Sequence, residues 1–362
     1  MDAAGGEDYR GSEVLRTSAW VAGRATDVSI SEAGVRSAAI SLYEAREKGD
    51  FSLDQWKQPE LNPKEETVHT VAWIFVVDTL NFAFWSDSEE LFTVDYNGKL
   101  HNGYWSLCAA INRALDARRP QHSTRAPCST GSSVMSEGIP ITDARYMANI
   151  TPEQLQHVFR SATTEQIPLF EKRLEVLREA GRVLLERFGG SFVNAIAEAN
   201  QSAQTLLNLV VSNFSSYNDH ATYDGQSVKL YKRAQILVAD LWAAFRGRSY
   251  GAFADIDSIT MFADYRVPQG LVHLGVLEYS EALLKRLRED PHLPSGDRLE
   301  VEIRAASIWG VEMAKLREEK EEGEGGAPLN AIVIDFYLWT FAKEHGHAMK
   351  HIPIHKTRSV FY

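Results

Sequence analysis

Val228-Lys-Leu-Tyr-Lys-Arg-Ala-Gln-Ile-Leu-Val-Ala-Asp-Leu-Trp-Ala-Ala-Phe-Arg246 decides the fold class. Tyr231, Ala234, Val238, Leu241, Trp242 and Phe245 recur at three- and four-residue steps, the period of one face of an α-helix. The same spacing marks helices at 151–161, 165–188, 191–213, 268–289, 298–320 and 330–345, and Ser106 to Leu115 reads the same way. Nearer the N-terminus, Ser31 is an N-cap with Glu32 in the first turn. Val35, Ala38, Ala39, Leu42 and Tyr43 then continue at helical spacing. Residues 71–85 are aromatic-rich and read as a buried element. The strand signal is confined to 91–105, where Phe92-Thr-Val-Asp-Tyr96 runs into Asn97-Gly98, a hairpin turn, and a short second arm to Tyr104. Strand–helix alternation is missing, so a mainly α fold with one small β-hairpin is expected, not an α/β sandwich.

Around this frame, residues 1–25 are small, polar and charged and read as a flexible tail before one domain over 26–362. Residues 118–136 are rich in Ser, Thr, Pro and Arg without periodicity, the composition of a flexible insertion loop. Glu318-Glu-Lys-Glu-Glu-Gly-Glu-Gly-Gly326 reads as a charged, Gly-rich linker.

The chain has 362 residues, 44% hydrophobic and 24% charged, enough to bury a large core. Its 38 Lys and Arg stand against 49 Asp and Glu, a net charge of −11. That balance argues against a life on duplex DNA or anionic membrane, since phosphate affinity needs clustered basic residues. Two cysteines, Cys108 and Cys128, cannot make a disulfide framework or a four-thiolate zinc site, so a reducing compartment is expected. The N-terminus lacks the features of a signal peptide. The most apolar run, Val71 to Val77, is broken by Asp78 and Asn81 and falls short of the roughly 20 apolar residues a span needs. A monomeric cytosolic protein without membrane or nucleic-acid partner is expected. No Gly-rich phosphate loop, paired-His zinc helix or Cys-x-x-Cys occurs, and His345, His347, His351 and His355 have no convergent carboxylates or thiols. No metal and no cofactor are expected.

Ile259-Thr-Met-Phe-Ala-Asp-Tyr-Arg-Val-Pro-Gln269 is the most unusual stretch. Pro268 suits a first helical turn, which places Asp264 just before a helix N-terminus, where free N–H groups favour a carboxylate. Beside Phe262, Ala263 and Tyr265, such a carboxylate suits stabilisation of a developing cation, as when a glycosidic bond breaks. On the residues alone, a helix cap or a pair with Arg266 is the more ordinary role of such an acid. Asp335, within Ile332-Val-Ile-Asp-Phe-Tyr-Leu-Trp339, must find donors or lose its charge. The N1–H and 2-amino group of a guanine-like base are such donors, and a helix cap or buried structural acid is the alternative. Lys232 and Arg233, on the polar flank of their helix, are either solvated or hold a phosphate or ribose. Phe82, Phe84, Trp85, Tyr104 and Trp105 form plain core or stack a flat base, with Asn81 beside them as a donor. Glu302 and Arg304 fit a structural ion-pair network.

The chain closely resembles the queuosine salvage protein family, the queuosine 5′-phosphate N-glycosylases. The strings that carry the likeness are Asp78-Thr-Leu-Asn-Phe-Ala-Phe-Trp-Ser86, Gly103-Tyr-Trp-Ser-Leu-Cys-Ala109, Phe188-Gly-Gly-Ser-Phe192 and Tyr231-Lys-Arg-Ala-Gln-Ile-Leu-Val-Ala-Asp240. Ile259 to Arg266, Glu300-Val-Glu-Ile-Arg304 and Asp335 to Trp339 continue it in order to the C-terminal end. The resemblance implies hydrolysis of queuosine 5′-monophosphate to release queuine for reinsertion into tRNA. It also implies a helical fold similar to that of helical DNA glycosylases. By motif, Asp264 resembles the catalytic carboxylate and Lys232 the lysine of the same site. Phe262 and Asp335 resemble base-pocket residues, with Trp339, Asn81 and Trp85 completing the implied substrate-binding set. The family pattern runs almost directly from Asn112-Arg-Ala-Leu-Asp116 to Gly138-Ile-Pro-Ile141, which makes 117–136 an insertion. A DNA-repair glycosylase and a non-catalytic helical scaffold or queuine-binding protein are the competing expectations. The first is disfavoured by the negative charge. The second predicts that Lys232, Asp264 and Asp335 lie apart.

Overall fold

The computed structural model describes residues 9, 11–49, 53–88, 90–116, 138–322 and 329–362, with 318–322 by backbone alone. It is mainly α-helical with small two-stranded sheets, as the periodicity predicts. The chain forms two compact units, Met1–Lys57 with Ile196–Tyr362, and Gln58–Ala195.

The first unit opens with α1 (Glu13–Ala22), β1 (Val28–Ile30) and α2 (Glu32–Glu47). The first of these helices lies inside the expected tail, which is thereby corrected from Glu13 onward. Val14, Leu15 and Val21 are buried together with the small polar Thr17 and Ser18, so the apolar face is narrow and its composition reads as polar. Ser12 caps it by accepting from Leu15 N (3.3 Å), and Thr17 Oγ1 accepts from Lys229 N (3.0 Å). Residues 1–8 and 10 lie outside the described residues. Ser31 caps α2 as expected.

The second unit holds α3 (Val68–Thr79), the antiparallel strands β2 (Thr93–Tyr96) and β3 (Lys99–Asn102), α4 (Tyr104–Leu115), α5 (Ala144–Asn149), α6 (Pro152–Val158) and α7 (Phe170–Arg187). Asn97 (φ 56°) and Gly98 (φ 74°) form the expected two-residue turn. Phe75 of α3 stacks on Phe192 at 4.5 Å, at the start of α8 (Phe192–Glu198), within which the division between the units falls. The expected insertion at 117–136 lies outside the described residues.

The first unit resumes with α9 (Ala203–Asn213), the hairpin β4 (His220–Tyr223) and β5 (Gln226–Lys229), and α10 (Lys232–Ala244). It ends with α11 (Val267–His273), β6 (Leu277–Tyr279), α12 (Glu281–Glu289), α13 (Arg298–Glu322) and α14 (Ala331–Glu344). β1 pairs antiparallel with β6. The helix expected over 191–213 is broken at Asn200 and Gln201, both left-handed, and that over 268–289 at Gly275 (φ 73°). The helix expected from Val228 starts only at Lys232, because Val228 and Lys229 belong to β5. Of the expected linker, residues through Glu322 continue α13, and 323–328 lie outside the described residues. That helix is the spine of the unit, with α1, α2, α11 and α14 packed on it. Val301, Ile303, Ala305, Ala306, Ile308 and Val311 are buried on all sides, the mark of a central helix. No described helix is long and apolar enough to cross a membrane.

Candidate functional site

Residues 259–264 form neither helix nor strand, yet Ile259, Met261, Phe262 and Ala263 are buried. Buried backbone polar groups need partners, and here side chains supply them. Thr260 N donates to Gln235 Oε1 (2.9 Å) and Phe262 N to Asp335 Oδ1 (2.8 Å). The carbonyl of Ala263 accepts from Arg304 Nε (3.0 Å). Three helices, α10, α14 and α13, therefore grip one short extended segment. Asp264 closes it: its Oδ1 accepts from Arg266 N (2.7 Å) and Val267 N (2.8 Å) at the start of α11. The capping alternative for Asp264 is thus realised with one oxygen. Its Oδ2 takes no hydrogen bond among the described residues.

Lys232 is the first residue of α10. The preceding Tyr231 is left-handed (φ 47°), a strained conformation for a residue with a side chain. Asp219 holds that turn. Its carbonyl accepts from Leu230 N (3.1 Å) and Tyr231 N (3.0 Å), and its Oδ2 from Lys232 N (3.1 Å). The Lys232 side chain is buried and its Nζ makes no hydrogen bond with the described residues. Burial pulls its pKa below the lysine value, opposed by the Asp264 and Asp335 charges and assisted by Arg304 and Arg233. Asp335 lies on α14, past the cap, which is Asn330. Burial pushes its carboxyl well above the usual range, and the charge of Asp264 adds to the push. The Phe262 N–H and Lys232 oppose it. Lys232, Asp264 and Asp335 thus lie within reach of one another's charge.

The other expected residues fall into two groups. In the first unit, the Phe262 ring meets Phe336 at 6.2 Å, and Trp339 stands half-buried one turn beyond Asp335, beneath the Lys343 ammonium at 5.2 Å. Arg233 turns inward instead, donating to Ser216 O (3.0 Å) and Val360 O (2.7 Å) over the Tyr217 ring, and offers nothing to a phosphate. Glu302 and Arg304 serve two networks. Glu302 takes Thr26 N, Asp27 N and the Tyr223 hydroxyl, whereas Arg304 pairs with Asp219 and Glu300. In the second unit, Asn81 and Trp85 are half-buried on the loop after α3, where Ala83 is left-handed (φ 49°). The buried guanidinium of Arg173 pins that loop through the carbonyls of Leu80, Phe82 and Ala83 and lies over the Phe82 ring at 4.4 Å. Among the described residues no cluster of His, Cys, Asp or Glu could hold a metal. Sequence reasoning missed Asp219, Gln235, Phe336 and Arg173. Phe336 was open to discovery as the neighbour of Asp335, but the others act through contacts with residues distant in the chain.

The family model described as queuosine salvage protein matches residues 61–130 and 126–362. The chain belongs to the queuosine salvage protein family. A relative from Bos taurus named queuosine 5′-phosphate N-glycosylase/hydrolase is 45% identical over 350 residues, 95% of this chain and 96% of its own length. Relatives of the same name from Schizosaccharomyces pombe and Sphaerobacter thermophilus are 40% identical (92% of each chain covered) and 42% identical (80% of each). The matched regions include the whole 259–266 segment and the three helices that grip it.

Proposed function

We propose that the protein hydrolyses the N-glycosidic bond of queuosine 5′-monophosphate and releases queuine for salvage into tRNA. The observation that carries this reading is one ammonium and two carboxylates gathered around a buried segment in a member of this family. Queuine is a 7-deazaguanine with carbon in place of the purine N7, so leaving-group activation by protonation at N7 is closed. The enzyme must stabilise the sugar as its bond to the base breaks, and bind the departing base. Asp264 does the first: Oδ1 is tied to the backbone, and Oδ2 is left to face the cationic C1′ and take a proton from the attacking water. The bond electrons leave with the base, which acquires a proton, and the water oxygen bonds to C1′. Asp335 receives the N1–H and 2-amino group of the base on the oxygen not bonded to Phe262. Phe262 stacks on the ring, and Trp339 completes the base-binding set of this unit. Lys232, buried without a bonded partner, takes the 5′-phosphate. The enzyme acts as a cytosolic monomer on a free nucleotide, without cofactor or metal.

Incubation with queuosine 5′-monophosphate, and separately with queuosine and GMP, tests the reading by chromatography and mass spectrometry of the free base. Queuine is expected from the monophosphate. Asp264→Asn keeps the acceptor for Arg266 and Val267, so this variant is expected to fold, bind queuine and lose turnover. Full turnover in that variant would remove Asp264 from its role, and no queuine from the folded wild type would overturn the reaction.

A further inference from the structure

No hydrogen bond among the described residues joins the side chains of Lys232 and Asp264, yet the Lys232 backbone N–H is linked to the carbonyl of Ala263, the residue before Asp264, through two side chains, Asp219 and Arg304. Arg304, on α13 and 1% exposed, directs Nε to the carbonyl of Ala263 (3.0 Å). Its Nη1 serves Asp219 Oδ1 and Glu300 Oε1 (both 3.1 Å), and its Nη2 serves Asp219 Oδ2 (2.5 Å). That same Oδ2 accepts the Lys232 N–H, and the Asp219 carbonyl holds the strained turn at Tyr231. The Tyr362 ring covers the guanidinium at 4.6 Å. We propose that Arg304 is a positioning residue of the reaction: through Asp219 on one side and Ala263 on the other, it fixes the separation between the Lys232 ammonium and the Asp264 carboxylate. The inference rests on the roles given to those two residues above.

The chemistry of the side chain fits the task. A guanidinium is a rigid planar fork with five donors, so it can set an angle and a distance among three elements at once. A lysine has one nitrogen on a flexible stem and cannot. The cation at C1′ and the 5′-phosphate are fixed relative to each other by the substrate, so the residues that meet them must be spaced to match. A displacement of about 1 Å in such a constellation costs on the order of 100-fold in rate. The two ends respond differently. Lys232 reaches its phosphate through four methylenes and can adapt, whereas Asp264 has a short side chain tied by Oδ1.

The test compares Arg304→Lys and Asp219→Asn with the wild type, by kinetics on queuosine 5′-monophosphate corrected for folded fraction and by crystal structures. Glu302→Gln, which loosens the N-terminal segment from the same helix, is the control for a purely structural loss. In both test variants kcat is expected to fall about 10- to 100-fold while KM moves by no more than about threefold. The Lys232 Nζ to Asp264 carboxylate separation should change by about 1 Å in Arg304→Lys. Glu302→Gln should lower Tm and leave kcat of the folded protein unchanged. Folded test variants with kcat within twofold of wild type, or an unchanged separation, would overturn the assignment. Failure of both to fold would also overturn it, making the pair a folding element. Absence of turnover in the wild type would overturn the functional reading alone, and the crystallographic separation would still decide the positioning.

Discussion

Asp335 is pulled two ways, and its titration exposes the conflict. Its carboxyl satisfies the Phe262 N–H, yet burial and the Asp264 charge raise its pKa well above 3.8. A raised folded pKa means that stability from the protonated form is fully present below 3.8 and is lost as pH rises through the folded value. Above that value the buried charge is a net cost. Asparagine keeps an acceptor for Phe262 and cannot ionise. Asp335→Asn is therefore expected to gain Tm relative to the wild type as pH rises, by calorimetry at pH 5 and pH 8, while losing queuine affinity. A wild-type advantage that grows with pH would show the opposite sign. The donors of the base favour ionised Asp335, so queuine binding to the wild type should release a proton, read as a buffer-dependent binding enthalpy. Lys232 has the complementary problem, since burial lowers its pKa from 10.5. If its charge holds the phosphate, kcat/KM for the monophosphate should fall along an alkaline limb below pH 10.5. Lys232→Arg should move that limb upward, because a guanidinium stays charged.

At the scale of elements, close approach outranks intrinsic preference. Gly181 sits inside α7, where alanine is the better helix former by about 0.5–1 kcal/mol. A Cβ at this position would lie 2.3 Å from Ala148 N and 2.7 Å from Ala144 O, on α5 packed across it. Gly181→Ala is therefore expected to destabilise by about 1–3 kcal/mol, measured by denaturant unfolding. A gain in stability would mean that α5 yields easily. The same balance explains what was legible in the sequence. The long helices α7 and α14 could be located because each buries apolar residues at its own period, and α13 was located although its middle is buried on every side. The hairpin at Asn97-Gly98 was legible from turn chemistry. The second hairpin carried an equal signal, Asp224-Gly225 between Tyr223 and Gln226, but it ran directly into the periodic stretch of α10 and was absorbed by it. The pairing of β1 with β6 could not be seen, since strands of three residues joined across about 250 positions leave no local pattern. At the site, Asp264 and Asp335 stood out as charged residues in apolar company, Lys232 was marked only by the family resemblance, and Arg304 was read as an ion-pair residue, as it is. Asp219 and Gln235 did not stand out, because their contribution is to satisfy backbone groups of residues remote in sequence.

At the scale of the whole molecule, the proposed choice of a free nucleotide over a nucleic acid makes a prediction about charge and salt. The chain carries a net charge of −11, and of its buried cations Arg233, Arg304 and Arg173 are each turned onto protein acceptors. Lys315, also fully buried, is paired with Glu312 (2.9 Å), whereas Lys232 is a buried cation with neither a hydrogen bond nor an ion pair among the described residues, enough for one phosphate. Gripping a polynucleotide takes a stripe of cations along several phosphates, and each neutralised phosphate adds a factor of salt dependence. A single contact gives a slope of log affinity against log salt of about −1, whereas six to ten contacts give a slope several times steeper. For this protein the slope of 1/KM for queuosine 5′-monophosphate is expected near −1 between low and physiological salt. Neither duplex DNA nor tRNA should compete at concentrations that saturate ordinary nucleic-acid enzymes, and intact tRNA bearing queuosine should not release its base. A steep slope, or competition by duplex DNA that disappears in salt, would instead reveal a basic track and restore the DNA-repair alternative. A shallow slope with no competition would fit the proposed mononucleotide substrate, held by one buried ammonium beside two carboxylates.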